Sequence, residues 1–299
     1  MRKTILYTCL FLISFYQTVR AQEKPTVIPF ELTPYNNISI QVILNGKDTV
    51  HLMFHTAAGS VTLIEESIKK LGSLHFSGAD TVKSWGGGGN TSRHSENNTL
   101  QIGHLTWEQE PIWEDKYSGP GTDGKFGPGL FKNKAIEIDF DKKVIVLHNH
   151  LPAKSKHYTK LKTTFNNDML FVEATCNTGS QTITNNFLIH TGHSGSMLLD
   201  DQFVASNKLG EQLKVIDTKE LKDSYGHILK VQKAILPGFT LGNTTLKDIP
   251  IGFFEGTIGR QKMSILGGDV LKRFNIIIDA SRAFVFLKPN KFQKTPYTS

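Results

Sequence analysis

Residues 189–195, Ile-His-Thr-Gly-His-Ser-Gly, repeat with small changes the stretch at residues 54–60, Phe-His-Thr-Ala-Ala-Gly-Ser. In both places an apolar run ends in a His-Thr pair followed by small residues. This pattern is typical of a β-strand that stops at a tight turn. The two His-Thr pairs lie 135 positions apart, from His55 to His190. A motif that occurs twice indicates that the chain has two related halves.

The similarity extends to both sides of the motif. Before it, alternating apolar residues run through a turn into the strand, over residues 38–54 in the first half and 170–189 in the second. After it, each half has a glycine-marked turn and two closing strands. In that region matching residues are 140 positions apart: Ile136 with Ile276, Ile138 with Ile278, Asp139 with Asp279 and Leu147 with Leu287. We therefore predict a mainly β, internally duplicated chain; the alternative is a single β-sandwich with accidental similarity.

Helix is predicted only over residues 64–71 and 269–274. The polar residues 151–157 separate the two copies, so we place the boundary there. The prediction is an N-terminal lobe over residues 22–152 and a C-terminal lobe over residues 153–299.

Residues 1–21 are predicted to be a signal peptide. Arg2 and Lys3 precede an apolar run, and Val19-Arg20-Ala21 is a small-residue cleavage site. The run is too short to span a membrane, and no later run is long enough. We expect a soluble protein that is exported to the periplasm or secreted.

Charge and cysteine content exclude several classes of protein. The chain has 34 Lys and Arg and 27 Asp and Glu, a formal charge of +7, and three of the cations lie in the predicted signal. The remaining excess is small and dispersed, so nucleic acid is not an expected partner. Cys9 lies in the signal, which leaves Cys176 without a partner in the mature chain. Neither a disulfide nor a thiolate zinc cluster is expected.

The repeated pattern resembles the pepsin and retropepsin family of aspartic peptidases. In that family an apolar strand of each lobe ends in an Asp-Thr-Gly turn, and an apolar-apolar-Gly motif with a short helix follows. Residues 264–271, Ser-Ile-Leu-Gly-Gly-Asp-Val-Leu, resemble the late motif closely, and residues 123–127 are a weaker counterpart with Lys125 at an apolar position. The resemblance implies a bilobal acid-protease fold with pseudo-twofold related, β-barrel-like lobes. It also implies a monomer, because both lobes lie in one chain.

His55 and His190 occupy the positions where the resemblance places the catalytic aspartates. In the family the two carboxylates share one proton and activate a water molecule. Two imidazoles carry no negative charge when neutral and repel each other when both are protonated, so ordinary aspartic proteolysis is not expected. Thr56, Thr191 and Gly192 are retained. The resemblance implies that the two threonines cross-link the turns by hydrogen bonds.

Two functions are consistent with these residues. The first is a pseudopeptidase that binds an extended peptide or protein segment in the cleft between the lobes. The second is a histidine-based, zinc-dependent hydrolase in which His55, His190 and His193 hold one ion and leave a fourth position for water. A third interpretation, loss of the acids by decay, is disfavoured because both positions carry the same residue.

A flap is also implied by the resemblance. Trp85, Gly86 and Gly87 open a glycine-rich run in the stretch of the first lobe where the family has a β-hairpin over the cleft. The glycines predict a mobile tip from which Trp85 would press on a bound chain. Tyr225 lies in the matching stretch of the second lobe, where an opposing flap and an ordinary turn both fit. No Lys-Ser/Thr follows the glycines, so the run is not a phosphate-binding loop.

Overall fold

The computed structural model describes residues 25–83, 89–222, 228–254 and 261–298. The predicted signal at residues 1–21 and the predicted flap residues Trp85, Gly86, Gly87 and Tyr225 lie outside these ranges. None of the helices within them is long and apolar enough to cross a membrane.

The first half of the chain, up to residue 157, contains strands β1 to β11, a short helix α1 and two 3-10 helices. Their bounds are β1 Thr26–Pro29, β2 Glu31–Leu32, β3 Ile38–Leu44, β4 Asp48–Phe54, β5 Val61–Ile64, α1 Glu65–Ile68, β6 Gly78–Lys83, β7 Gly89–Ile102, β8 Leu105–Asp115, β9 Gly124–Phe126, 3-10 helix Pro128–Phe131, β10 Ala135–Asp139, β11 Val144–His148 and 3-10 helix Ala153–His157.

The second half repeats this order. Its elements are β12 Thr159–Asn166, β13 Met169–Asn177, β14 Thr182–Ile189, β15 Met197–Leu198, α2 Asp201–Ser206, α3 Leu209–Gln212, β16 Val215–Lys222, β17 Ile228–Leu241, β18 Thr244–Phe254, β19 Ser264–Leu266, α4 Gly268–Leu271, β20 Phe274–Ile278 and β21 Phe284–Pro289.

Each half closes six of its strands into a barrel. In the first half the order is β3-β4-β9-β5-β8-β7, and β3 pairs with β7 to close the ring. In the second half the order is β13-β14-β19-β15-β18-β17, and β13 pairs with β17. The two orders correspond strand by strand, so the internal duplication predicted from the sequence is present in the fold.

A further set of six strands, drawn from both halves, pairs in the order β1-β11-β10-β20-β21-β12 and continues into the second barrel, where β12 pairs with β13. At its centre β10 and β20 pair antiparallel, with Ile136 opposite Ile278 and Ile138 opposite Ile276. This reciprocal register places a pseudo-twofold axis between the two strands. The predicted fold class, a bilobal acid-protease fold with barrel-like lobes, is confirmed.

Alternating burial explains why these segments form strands. In β3 the apolar Ile38, Ile40, Val42 and Leu44 face the core, whereas Gln41 is exposed. Burying each of these side chains contributes about 1.5–3 kcal/mol relative to an exposed position. Cys176 is also buried, which raises the pKa of its thiol to about 12 and makes it unreactive.

The predicted helices are present but shorter than expected. Residue 64 still belongs to β5, and after α1 the chain continues only as i→i+3 turns, from Lys70 to Ser67 and from Leu71 to Ile68. In the second half α4 ends at Leu271 because Phe274 begins β20. Each helix is therefore about one turn long; β5 directly precedes α1, and β20 closely follows α4.

Candidate functional site

The two His-Thr turns lie at the junction between the barrels. His55 follows β4, and its backbone N–H donates to Phe126 O of the neighbouring β9 at 2.9 Å. His190 follows β14, and its N–H donates to Leu266 O of β19 at 3.0 Å. Because each histidine continues a central strand with a parallel neighbour, both side chains are positioned by the barrel cores.

The two threonines form a symmetrical set of hydrogen bonds across the junction. Thr56 Oγ1 donates to Ile189 O at 2.6 Å, and Thr191 Oγ1 donates to Phe54 O at 2.7 Å. Each hydroxyl also accepts from the backbone N–H of the other threonine, at 3.0 and 3.1 Å. Both threonines are buried. These four hydrogen bonds, which we call the threonine bridge, fix the position of each turn relative to the other.

His55 and His190 are in contact. Their ring centroids are 4.4 Å apart and the ring planes are inclined by 57°. The ring of His55 lies over Gly192, where a Cβ atom would be 2.1 Å from His55 Cδ2. The equivalent position in the first half is Ala57. Gly192 is therefore needed because the imidazole of His55 occupies the space of a side chain at that position.

The hydrogen bonds of the two rings differ. The backbone N–H of Ala57 donates to Nδ1 of His55 at 3.1 Å, so this nitrogen is unprotonated and the neutral ring carries its proton on Nε2. Nδ1 of His190 is buried and has no hydrogen-bond partner in the part of the chain that the structure describes. The pair therefore contains one imidazole with a fixed tautomer and one without.

Both rings are held in the neutral form. The pKa of His55 lies well below its ordinary value. Burial is the largest cause, and the nearby His190 and Lys125 lower it further. Burial, with His193 and Lys125 contributing, lowers the pKa of His190 from 6.5 to about 3. At neutral pH the floor of the junction thus carries no negative charge from this pair.

His193 lies three residues after His190 in the same turn, and its ring does not stack on the histidine pair. Its ring centroid is 6.4 Å from that of His190, and the ring planes are nearly perpendicular. The ring lies against Gly195 and Gly267, whose Cβ positions would be 2.8 and 2.6 Å from its atoms. Burial and Lys233 lower its pKa to about 4. Within the described ranges no group of three or more His, Cys, Asp or Glu is arranged to hold a metal ion. The predicted three-histidine zinc site therefore has no support from the geometry.

An ion pair beside the histidines was missed in part by the sequence analysis. Lys125 Nζ lies 2.5 Å from Asp115 Oδ2, and both side chains are mostly buried. The sequence showed Lys125 to be unusual, but Asp115 comes from the end of β8 and is brought close only by the barrel. The sequence did contain one indication that Asp115 is unusual: the internal repeat aligns it, 139 positions earlier in the chain, with the apolar Phe254.

Residues from the first half also hold the second turn. Asn37 Nδ2 donates to Thr191 O at 3.1 Å, and Asn36 Nδ2 donates to Ser194 O at 2.9 Å. The Asn36 side chain in turn accepts from Lys272 Nζ at 2.7 Å. None of these contacts follows from a local sequence pattern, because they join positions far apart in the chain.

Each predicted flap position lies between two strands that the structure describes. Trp85, Gly86 and Gly87 fall between β6 and β7, which pair up to Lys83 and Gly89. Tyr225 falls between β16 and β17, which pair up to Lys222 and Ile228. These four residues themselves are outside the described ranges, and their roles stay predictions.

Two six-stranded barrels related by a pseudo-twofold axis, with a pair of turns bridged by threonines at the junction, define an acid-protease fold. The fold is similar to that in the crystal structure of aspartic proteinase from Irpex lacteus, with a TM-score of 0.60 and 13% sequence identity over 91% of this chain and 99% of that chain. No protein-family model and no curated protein sequence matches the chain. The chain therefore has the fold of pepsin-like aspartic proteinases.

Proposed function

We propose that the protein is an exported pseudopeptidase that binds an extended peptide in the cleft between the two barrels and does not cleave it by aspartic catalysis. The observation that carries the proposal is the pair of neutral imidazoles at the junction, His55 and His190, with ring centroids 4.4 Å apart.

The chemistry of this pair argues against aspartic-type hydrolysis. A general base is most effective when its pKa lies near the working pH. A pKa of about 3 makes His190 a weak base, and Nδ1 of His55 already accepts from the N–H of Ala57. A pair without negative charge cannot share a proton as two carboxylates do.

The architecture around the pair supports binding. The threonine bridge keeps the turns together, and paired strands β6–β7 and β16–β17 extend from the two barrels. An extended peptide between such elements would be held by main-chain hydrogen bonds, as in other strand-addition complexes. Nothing in this mode of binding requires a carboxylate at the floor of the cleft.

Binding and cleavage can be tested together on the mature protein, residues 22–299. We expect saturable binding of labelled, unstructured peptides by fluorescence anisotropy, and no cleavage by mass spectrometry from acidic to neutral pH. Lys70→Ala, at an exposed position just after α1, is the matched control and should bind as the wild type does. Cleavage that disappears in His190→Gln, or the absence of any binding, would overturn the proposal.

Export is part of the same proposal and rests on residues 1–21. N-terminal sequencing of the protein recovered outside the cytoplasm should give a chain that begins at Gln22. Recovery of the uncleaved chain in the cytoplasm alone would contradict it.

A further inference from the structure

The second half carries a cluster of buried apolar side chains near the histidine pair, which we call the apolar wall. Its buried members pack on one another and are Leu188, Leu198, Val231, Phe254 and Ile265. Ala57, which donates its N–H to His55, packs against this cluster. The apolar wall therefore reaches the turn of the opposite half and lies beside the two imidazoles.

Strand register identifies the equivalent surface of the first half. Ile265 is paired with Leu188 on one side and Leu198 on the other. Lys125 is paired in the same way with Met53 and Thr62. Asp115 ends β8 as Phe254 ends β18. The equivalent set, which we call the polar wall, is Met53, Thr62, Asp115 and Lys125.

The polar wall contains an ion pair where the apolar wall contains Phe254 and Ile265. A buried ion pair is weak support for stability, because well-packed apolar residues of similar volume are often as stable or more so. The second half shows that this fold accommodates apolar residues at these two positions. Folding alone therefore does not explain why Asp115 and Lys125 are charged.

A second observation in the same wall points to a ligand. Thr62 is 6% exposed, and its hydroxyl has no hydrogen-bond partner among the described residues. Buried hydroxyls are normally paired, and an unpaired one destabilises the fold unless another group completes it. Thr62 lies directly opposite Lys125 in the sheet, so the unpaired hydroxyl and the ammonium belong to one surface.

The charge that reaches the junction is positive. Lys125 acts on both His55 and His190, where it opposes protonation of each ring. Asp115 holds the amine of Lys125 in place, and an ammonium presents three N–H donors.

We propose that the polar wall binds an acidic side chain of the peptide, and that the apolar wall binds an apolar residue on the other side of the histidine pair. This inference rests on the proposed function and names its ligand class: an extended peptide with Asp or Glu at one position. Lys125 is the specificity-determining residue and would form a charge-assisted hydrogen bond with the carboxylate.

The test uses three labelled, unstructured peptides that are identical except for Glu, Gln or Leu at one central position. The wild-type protein should bind the Glu peptide roughly tenfold more tightly than the Gln peptide, since one charge-assisted hydrogen bond is gained. This comparison needs no variant and so does not depend on any substituted protein folding.

The variants then assign the preference to the polar wall. The double variant Asp115→Phe, Lys125→Ile copies the residues of the apolar wall and should lose the preference for Glu and bind the Leu peptide best. Lys125→Arg keeps the cation and should keep the preference. The matched control Lys70→Ile removes an exposed cation just after α1 and should leave the preference unchanged.

The outcomes separate this inference from the proposed function. Equal binding of the Glu and Gln peptides by the wild type would overturn the acidic-ligand inference and leave the peptide-binding function standing. A preference for Glu that persists in the double variant would overturn the role of the polar wall. Failure of all three peptides to bind would overturn both proposals.

Discussion

In the second half, Phe254 and Ile265 pack as apolar neighbours next to the junction, whereas in the first half Asp115 and Lys125 form an ion pair at the same two positions. The threonine bridge shows no such difference, since Thr56 and Thr191 exchange matching hydrogen bonds. The bridge joins the halves, so a change in one threonine affects both. Each wall packs mainly within its own barrel, and the walls can therefore diverge while the junction stays symmetrical.

The largest expected effect comes from breaking the ion pair on one side only. Lys125→Ile leaves the Asp115 carboxylate buried without its partner, so the free energy of unfolding should fall by about 3–5 kcal/mol in urea denaturation. Lys70→Ile should change it by less than about 0.5 kcal/mol. If Lys125→Ile also lowered the free energy of unfolding by less than about 0.5 kcal/mol, water would have to reach Asp115. The polar wall and the apolar wall would then differ less than described.

The threonine bridge tests the symmetrical part of the molecule. Thr56→Val and Thr191→Val each remove a donor and leave a buried carbonyl and a buried N–H unpaired, which should destabilise the fold by about 2 kcal/mol. Because the two sets of hydrogen bonds match, the two losses should agree within about 0.5 kcal/mol in the same denaturation experiment. Clearly unequal losses would show that one turn depends on the bridge more than the other.

The histidines predict a dependence of stability on pH. The pKa of His190 is lowered to about 3 and that of His193 to about 4, so below the ordinary value of 6.5 the unfolded chain takes up protons that the folded chain does not. Stability should therefore fall as the pH decreases, by about 2 kcal/mol between pH 6.5 and 5.5, with about 1 kcal/mol from each of the two rings.

The double variant His190→Gln, His193→Gln removes these two titrations. Urea denaturation at several pH values should give a flatter curve for it than for the wild type. Buried carboxylates such as Asp269 also contribute to acid unfolding, but they are common to both proteins. If stability depends on pH equally in the wild type and the double variant, the two rings take up protons as readily in the folded chain as in the unfolded chain.

The smallest effect is expected when one wall is converted into the other. In the double variant Asp115→Phe, Lys125→Ile no charge is left without a partner, and the free energy of unfolding should lie within about 1 kcal/mol of the wild-type value. A loss as large as that of Lys125→Ile alone would show that the first barrel cannot accommodate the apolar pair.

Much of the fold was predictable because it is repeated in the sequence. Ile136 and Ile138 matched Ile276 and Ile278 at a constant spacing, and the same residues face each other across β10 and β20. The two histidines and the threonines that bridge the turns were also found from the motif, because they are close in sequence to the strand ends.

The polar wall was not predictable from local patterns. Lys125 was noticed as an exception, but its partner Asp115 lies in a different strand, and Thr62 is an ordinary strand residue until its hydroxyl is found to be buried without a partner. The direction of the His193 ring was missed for a similar reason. Its spacing from His190 suggested a metal ligand, whereas packing against Gly195 and Gly267 decides where the ring lies.

The threonine bridge also has a consequence for folding kinetics. It joins positions 135 residues apart, and β10 pairs with β20 across a similar separation. Contacts between such distant positions form slowly, because a long loop must close before they stabilise anything. The first barrel closes through pairings within residues 38–126, whereas the histidine pair comes together only when the second barrel has docked. Appearance of the site should therefore be the last phase of refolding, later than the recovery of strand content.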